Sequence, residues 1–141
     1  MKHIAVVLLV VLATLPCSAG ETENTMDENK DGRPDLWFDV QNGAVVGYRA
    51  DRNFDGKVDY AARYEAGDML LFEEFDYNFD GVMDDFYYYE EGVLVRQEID
   101  TNFDTTIDMW IYIEEGLYVR KIERDRDFDG VIDSVKDFKN R

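Results

Sequence analysis

Hydrophobic positions fall along this chain in two unlike patterns. Residues 4–15 form one almost unbroken apolar block of 12 residues. From residue 36 onward the apolar positions come in short runs instead, at 36–40, 60–64, 86–89, 109–113 and 134–138, rich in aromatic and β-branched side chains. Such runs favour strands over helices. Each of the first four is followed by a glycine at the same place in the repeat: Gly43, Gly67, Gly92 and Gly116. Asn42-Gly43 is a strong hairpin signal; Ala66-Gly67, Glu91-Gly92 and Glu115-Gly116 are weaker ones. A second run then returns, at 45–48, 69–72, 93–95 and from 117 onward. The pattern predicts an all-β fold, an antiparallel meander of about nine short strands in repeats of 24–25 residues, forming a curved sheet, an open barrel or a β-solenoid. Nine strands make barely two four-stranded blades, so a full propeller is excluded. The extra residue of the longer repeats is expected in the returning strand, as a β-bulge.

Polar residues repeat more strictly than apolar ones. Asp27, Asn29, Asp31, Gly32 and Asp35 open a series continued by Asp51, Asn53, Asp55, Gly56 and Asp59. Asp76, Asn78, Asp80, Gly81 and Asp84 follow, then Asp100, Asn102, Asp104, Thr105 and Asp108, and finally Asp125, Asp127, Asp129, Gly130 and Asp133. Successive copies start 24, 25, 24 and 25 residues apart, and Thr105 alone departs from D-x-[ND]-x-D-G-x-x-D. Calcium is a hard cation that takes six to eight oxygens at about 2.3–2.6 Å. Side chains at loop positions 1, 3, 5 and 9 can wrap one ion. The backbone carbonyl at position 7 joins them, from Arg33, Lys57, Val82, Thr106 or Val131. Glycine at position 6 allows the sharp turn. Solvated Asx turns would explain one such loop. They do not explain five in register that hold 16 of the 32 acidic residues. Up to five calcium ions are therefore expected. Pro34, Val58, Met83, Ile107 and Ile132 at position 8 are expected to pin each loop to the core, with Phe54, Phe79, Phe103 and Phe128 at position 4 as second anchors.

These loops resemble those of EF-hands, dockerins, thrombospondin type 3 repeats and the calcium loops of integrin-type propeller blades. The resemblance covers the loops only; it implies calcium as the ligand and the residues above as its holders. A standard EF-hand places a bidentate Glu at position 12. Here position 12 holds Phe38, Ala62, Tyr87, Ile111 and Lys136. Water, or acids of neighbouring segments such as Glu74, Glu98 and Glu123, would have to complete each shell.

Between the loops, period-2 alternation puts Trp37, Phe86, Tyr88, Trp110 and Tyr112 on one face of the sheet and Phe38, Tyr87, Tyr89 and Ile111 on the other. One face is expected to be core. The alternative is that both are too apolar for a single exposed sheet, leaving an aromatic stripe for a protein or glycan partner.

The apolar block near the start reads as a secretory signal peptide over residues 1–19: Lys2 ahead of it, Pro16 breaking it, and Cys17-Ser18-Ala19 offering a cleavage site. Twelve helical residues span about 18 Å, too little for a hydrocarbon core of about 30 Å. A lipoprotein signal would want a small residue before Cys17, and Pro16 stands there. The expected mature chain starts at Gly20, has a tail over 20–26 and a repeat domain over 27–141. It lacks Cys and His altogether, and with 14 basic against 32 acidic residues it carries −18.

That charge argues against nucleic acid and anionic lipid as partners. Without His or Cys, nucleophile–base pairs built on them are absent, and the carboxylates are better explained as ligands than as a glycosidase pair. No enzyme is expected. The chain reads as a secreted or periplasmic calcium-binding repeat protein, its fold held by Ca²⁺, with a structural or adhesive role. The other reading is a calcium-dependent binding module or inhibitor that uses an aromatic face. A signalling sensor is disfavoured, because extracellular calcium is nearly constant.

Overall fold

A computed structural model describes residues 22–65 and 69–138 of the chain. The signal-peptide segment lies outside the described residues. Ten strands follow one another: β1 (Thr22–Met26), β2 (Leu36–Gln41), β3 (Ala44–Ala50), β4 (Tyr60–Glu65), β5 (Met69–Phe75), β6 (Asp85–Glu90), β7 (Val93–Ile99), β8 (Met109–Glu114), β9 (Tyr118–Arg124) and β10 (Ser134–Asp137). They form a single antiparallel sheet in the order of the chain, and it does not close into a barrel. The expected all-β meander is present, in its open-sheet form. Its strand count is ten, because the segment expected as a tail forms β1, paired along its whole length with β2. No helix among the described residues is long and apolar enough to cross a membrane.

Connections alternate. All five Asp-rich loops lie at one end of the sheet, and the hairpin turns at 42–43, 91–92 and 115–117 lie at the other; the turn expected at Ala66-Gly67 lies outside the described residues. Strands in a sheet are about 4.8 Å apart, so neighbouring loops, two strands apart, repeat about every 9.6 Å. Asn42 and Gly43 have φ of 51° and 81°, and Glu91 and Gly92 have 51° and 75°. Positive φ at both central residues is the type I′ geometry, whose twist matches that of paired strands.

A register shift occurs in every hairpin, at Asp39/Val40, Arg63/Tyr64, Tyr88/Tyr89 and Tyr112/Ile113. Bulges are thus a property of each unit and not of the longer ones alone. The outgoing strands are all six residues and the returning strands all seven, so the additional residue of the longer units is not in a strand, and in the fourth unit it falls in the turn. At the last hairpin, residues 115–117 replace a two-residue connection.

Pairing registers define the two faces. Phe38–Tyr48–Ala62–Glu73–Tyr87–Gln97–Ile111–Ile122–Lys136 form one row across the sheet. Trp37–Arg49–Ala61–Glu74–Phe86–Glu98–Trp110–Glu123–Val135 form a row on the opposite face. The alternation expected from sequence holds, but the expected core does not. Contacts between elements run between consecutive strands, so no second layer covers either face among the described residues. Among the described residues, the buried hydrophobic side chains are three alanines, Ala50, Ala61 and Ala62.

Cations lie over rings on both faces, more often on one. On the Trp37 face, charges lie over rings: Arg49 on Trp37, Arg63 on Phe72, Arg96 on Tyr88 and Lys121 on Tyr112, at 3.9–6.0 Å from the centroids. Tyr88 and Tyr112 hydroxyls donate to Glu98 and Glu123, both at 2.8 Å. The Phe38 face carries a chain of ring contacts from Phe38 through Tyr48, Tyr60 and Phe75 to Tyr87, with centroids 4.8–5.7 Å apart, and Arg52 lies over two of these rings, Tyr60 and Phe75, at 5.9 and 5.5 Å.

Candidate metal-binding loops

Every loop is tied by the same backbone-to-carboxylate hydrogen bonds. The position-6 N–H donates to Oδ2 of the position-1 aspartate in all five copies, at 2.6–2.8 Å. The position-7 N–H of Arg33, Lys57, Val82, Thr106 or Val131 donates to Oδ1 of the position-5 aspartate. The position-2 N–H donates to Oδ2 of the position-9 aspartate, at 2.7–2.9 Å. In the four copies with Asn at position 3, its Oδ1 accepts the position-5 N–H. Backbone amides thereby fix one oxygen of each position-5 and position-9 aspartate, while the position-1 aspartates also accept an amide on Oδ1, so both of their oxygens are held.

Sheet ladders extend into the loops. The amides of Asp51, Asp76, Asp100 and Asp125 donate to the position-9 carbonyls of Asp35, Asp59, Asp84 and Asp108, at 2.8–2.9 Å. Neighbouring loops are stitched together, and their position-1 and position-9 aspartates form one row. Asp35, Asp51, Asp59, Asp76, Asp84, Asp100, Asp108 and Asp125 are each no more than 4% exposed. The end members differ because they have a neighbouring loop on one side only: Asp27 is half-buried and Asp133 exposed. The ligand residues at positions 3 and 5 are exposed.

Charge crowding is visible in the titration behaviour. Burial raises the Asp84 carboxyl above its ordinary range, with Asp76 and Asp80 adding to it and the Tyr77 and Asn78 amides opposing. Asp127 is raised first by Asp129, then by burial and by Asp125 and Asp133. Asp104 is lowered, chiefly by its bond from Asn102.

The fifth loop meets a geometric test for a cation. Two oxygens on one calcium at about 2.3–2.6 Å lie at most about 5 Å apart. Carboxylate oxygens of Asp125, Asp127 and Asp133 lie within 4.8 Å of one another. Asp129 is outside that group. Loop five alone has a carboxylate, Asp127, at position 3, where the other four loops carry Asn. In loops two and four, protein groups also reach the second oxygen of the position-9 aspartate. The Arg52 Nε lies on Asp59 Oδ1, and Thr101 Oγ1 donates to Asp108 Oδ1 at 2.7 Å. Lys57 Nζ reaches into the next loop and donates to the Asp80 carbonyl at 2.6 Å.

Several expected roles are corrected. The position-4 phenylalanines are not anchors: Phe54, Phe79, Phe103 and Phe128 are 42–49% exposed. Each sits at φ of 61–64°, as does Lys30 at 66°, a conformation bulky residues avoid. At position 8, Val58, Met83 and Ile107 are half-buried, but Pro34 and Ile132 in the outer loops are exposed. Glu98 and Glu123 lie on strands and accept tyrosine hydroxyls, which gives them partners away from the loops. Sequence reasoning missed the Arg52–Asp59 pair. Its only signal was an arginine at position 2.

No protein-family model matches this chain, and no curated protein matches it. Among solved structures, the chain is similar to one in the crystal structure of accessory secretory proteins 1, 2 and 3 in Streptococcus pneumoniae. The identity is 14%, the match covers 68% of this chain and 18% of that one, and the TM-score is 0.48.

Proposed function

We propose that this is an exported calcium-binding repeat protein whose ions hold the loop end of the sheet together, in a structural or adhesive role outside the cytoplasm. The observation that carries the reading is the row of eight buried aspartates. Buried carboxylates are costly unless neutralised or fully hydrogen-bonded. Backbone amides reach both oxygens of Asp51, Asp76, Asp100 and Asp125 but only one oxygen of the position-9 aspartates, and amides alone leave the row's charge in place, which a divalent cation in every loop would neutralise. The oxygen-only donor set suits a hard cation, and Asp125, Asp127 and Asp133 are spaced for one. No catalytic role is assigned to these carboxylates. Export rests on the apolar block at residues 4–15 and the Cys17-Ser18-Ala19 site.

Calorimetric titration of the exported protein with calcium tests the reading. Saturable binding of several ions per chain is expected, and no heat of binding at millimolar calcium would overturn it. A second reading is a calcium-dependent binding module, favoured by the ring-and-cation face being left uncovered. A glycan array or pull-down run in calcium and in chelator separates it from the structural role, which predicts no defined partner.

A further inference from the structure

We propose that the Phe38 face of the sheet is an interface at which two copies of this chain stack face to face. This does not rest on calcium in the loops; it rests on the unequal charge of the two faces. Among the paired strand positions of the Phe38 face, the charged residues are Glu73, Asp85, Arg124 and Lys136, two of each sign. A chain of net charge −17 thus presents a strand face that is balanced and does not repel a second copy.

The two acids in the middle are already satisfied within the face. Glu73 accepts the hydroxyls of Tyr60 and Tyr89, at 2.7 and 2.5 Å. Asp85 accepts Tyr87 at 3.0 Å and Gln97 at 2.9 Å. Polar groups that must lose water on contact need such partners beforehand. The other face is unsuited to this, since its paired strand positions are far richer in charge, carrying Arg49, Arg63, Arg96 and Lys121 together with acids such as Glu74, Glu98 and Glu123.

Size also fits. Ten strands about 4.8 Å apart, each about 20 Å long, give a face of roughly 900 Å². A stable interface needs about 800 Å² per partner. The half-buried Phe38, Tyr48, Tyr60, Phe75, Tyr87 and Ile111 would become the inner layer of a sandwich, which supplies the core that one sheet lacks. A two-fold axis lying in the plane between the two faces makes the contact self-complementary and closed.

Sedimentation equilibrium of the exported protein, in calcium and in chelator, reads the result directly. A dimer is expected at micromolar concentration; a monomer at 100 µM in calcium would overturn the proposal. Ile111→Lys on this face should shift the protein to monomer with its β-sheet circular dichroism kept, while Trp110→Lys on the other face should leave the dimer. A dimer lost with Trp110→Lys and kept with Ile111→Lys would place the contact on the wrong face and also overturn it. Should Ile111→Lys fail to fold, Ile111→Cys carrying a spin label replaces it. Protection of that label from a soluble relaxation agent, deepening as the dimer forms, supports the interface, and an accessible label in the dimer refutes it. Dimerisation without heat of calcium binding separates this proposal from the fate of the loop reading.

Discussion

Thr105 shows how far a single residue can be read in advance. It takes the place of glycine at position 6 and has φ of 78°, against 88–96° for Gly32, Gly56, Gly81 and Gly130. A β-branched residue there is strained by roughly 1–3 kcal/mol. Thr105→Gly should therefore raise stability by about 1 kcal/mol in urea unfolding and tighten any ion in loop four. The reciprocal change, Gly81→Thr, meets a second obstacle, because a Cβ at Gly81 would lie 2.8 Å from Lys57 Cδ. It should destabilise, with the Lys57 bond to Asp80 lost. Arg52→Gln makes a separate residue-scale test. It removes the cation lying on Asp59, so calcium should bind loop two more tightly in calorimetric titration. Unchanged affinity would show that the arginine moves aside at no cost.

Strands and turns obey local rules with one exception each. The type I′ hairpins want Asn or Gly at the first central position, which Asn42 provides and Glu91 does not. Glu91→Asn should stabilise by about 0.5–1 kcal/mol at a site exposed to solvent, checked by the urea midpoint at constant slope. The strands add an alkaline dependence. Burial, then the bond to Glu73, raises the phenol of Tyr60, and the same causes raise Tyr89; burial, then nearby Asp85, raises Tyr87. A folded-state pKa above the unfolded value near 10 gives stability that is complete below pH 10 and lost as pH rises beyond it. Absorbance of phenolate near 295 nm should therefore appear cooperatively, together with unfolding, in the alkaline limb. Gradual ionisation at pH 10 in the folded protein would show that these bonds do not protect the ring hydroxyls.

At the scale of the molecule, the acid row and the missing second layer set the stability. With free calcium ten times above the dissociation constant, mass action contributes about 1.4 kcal/mol per occupied loop. Several loops acting together would rival the 5–15 kcal/mol of an ordinary domain. Chelation at fixed ionic strength should lower the melting temperature steeply, and magnesium should restore it poorly because it demands a tighter octahedron. Equal melting curves with and without calcium would mean that the strands alone make the fold.

Local chemistry was legible in the amino-acid sequence. Period-2 alternation separated Trp37, Phe86 and Trp110 from Phe38, Tyr87 and Ile111, the Asp-Asn-Asp-Gly spacing placed the loops, and Gly43, Gly92 and Gly116 placed their turns, because all of these depend on near neighbours along the chain. What depends on neighbours across the sheet was not legible. Pairing alone made a strand of Thr22–Met26, a polar segment with no apolar period. The stitching of Asp51 to Asp35, and of each later loop to the one before, buried aspartates that any single loop would leave wet. The left-handed turn at position 4 put phenylalanines in solvent where hydrophobicity alone would have put them inside. Nothing local could say that the aromatic faces lie uncovered, since the number of layers is decided by how the whole sheet is placed, after every strand has found its partner.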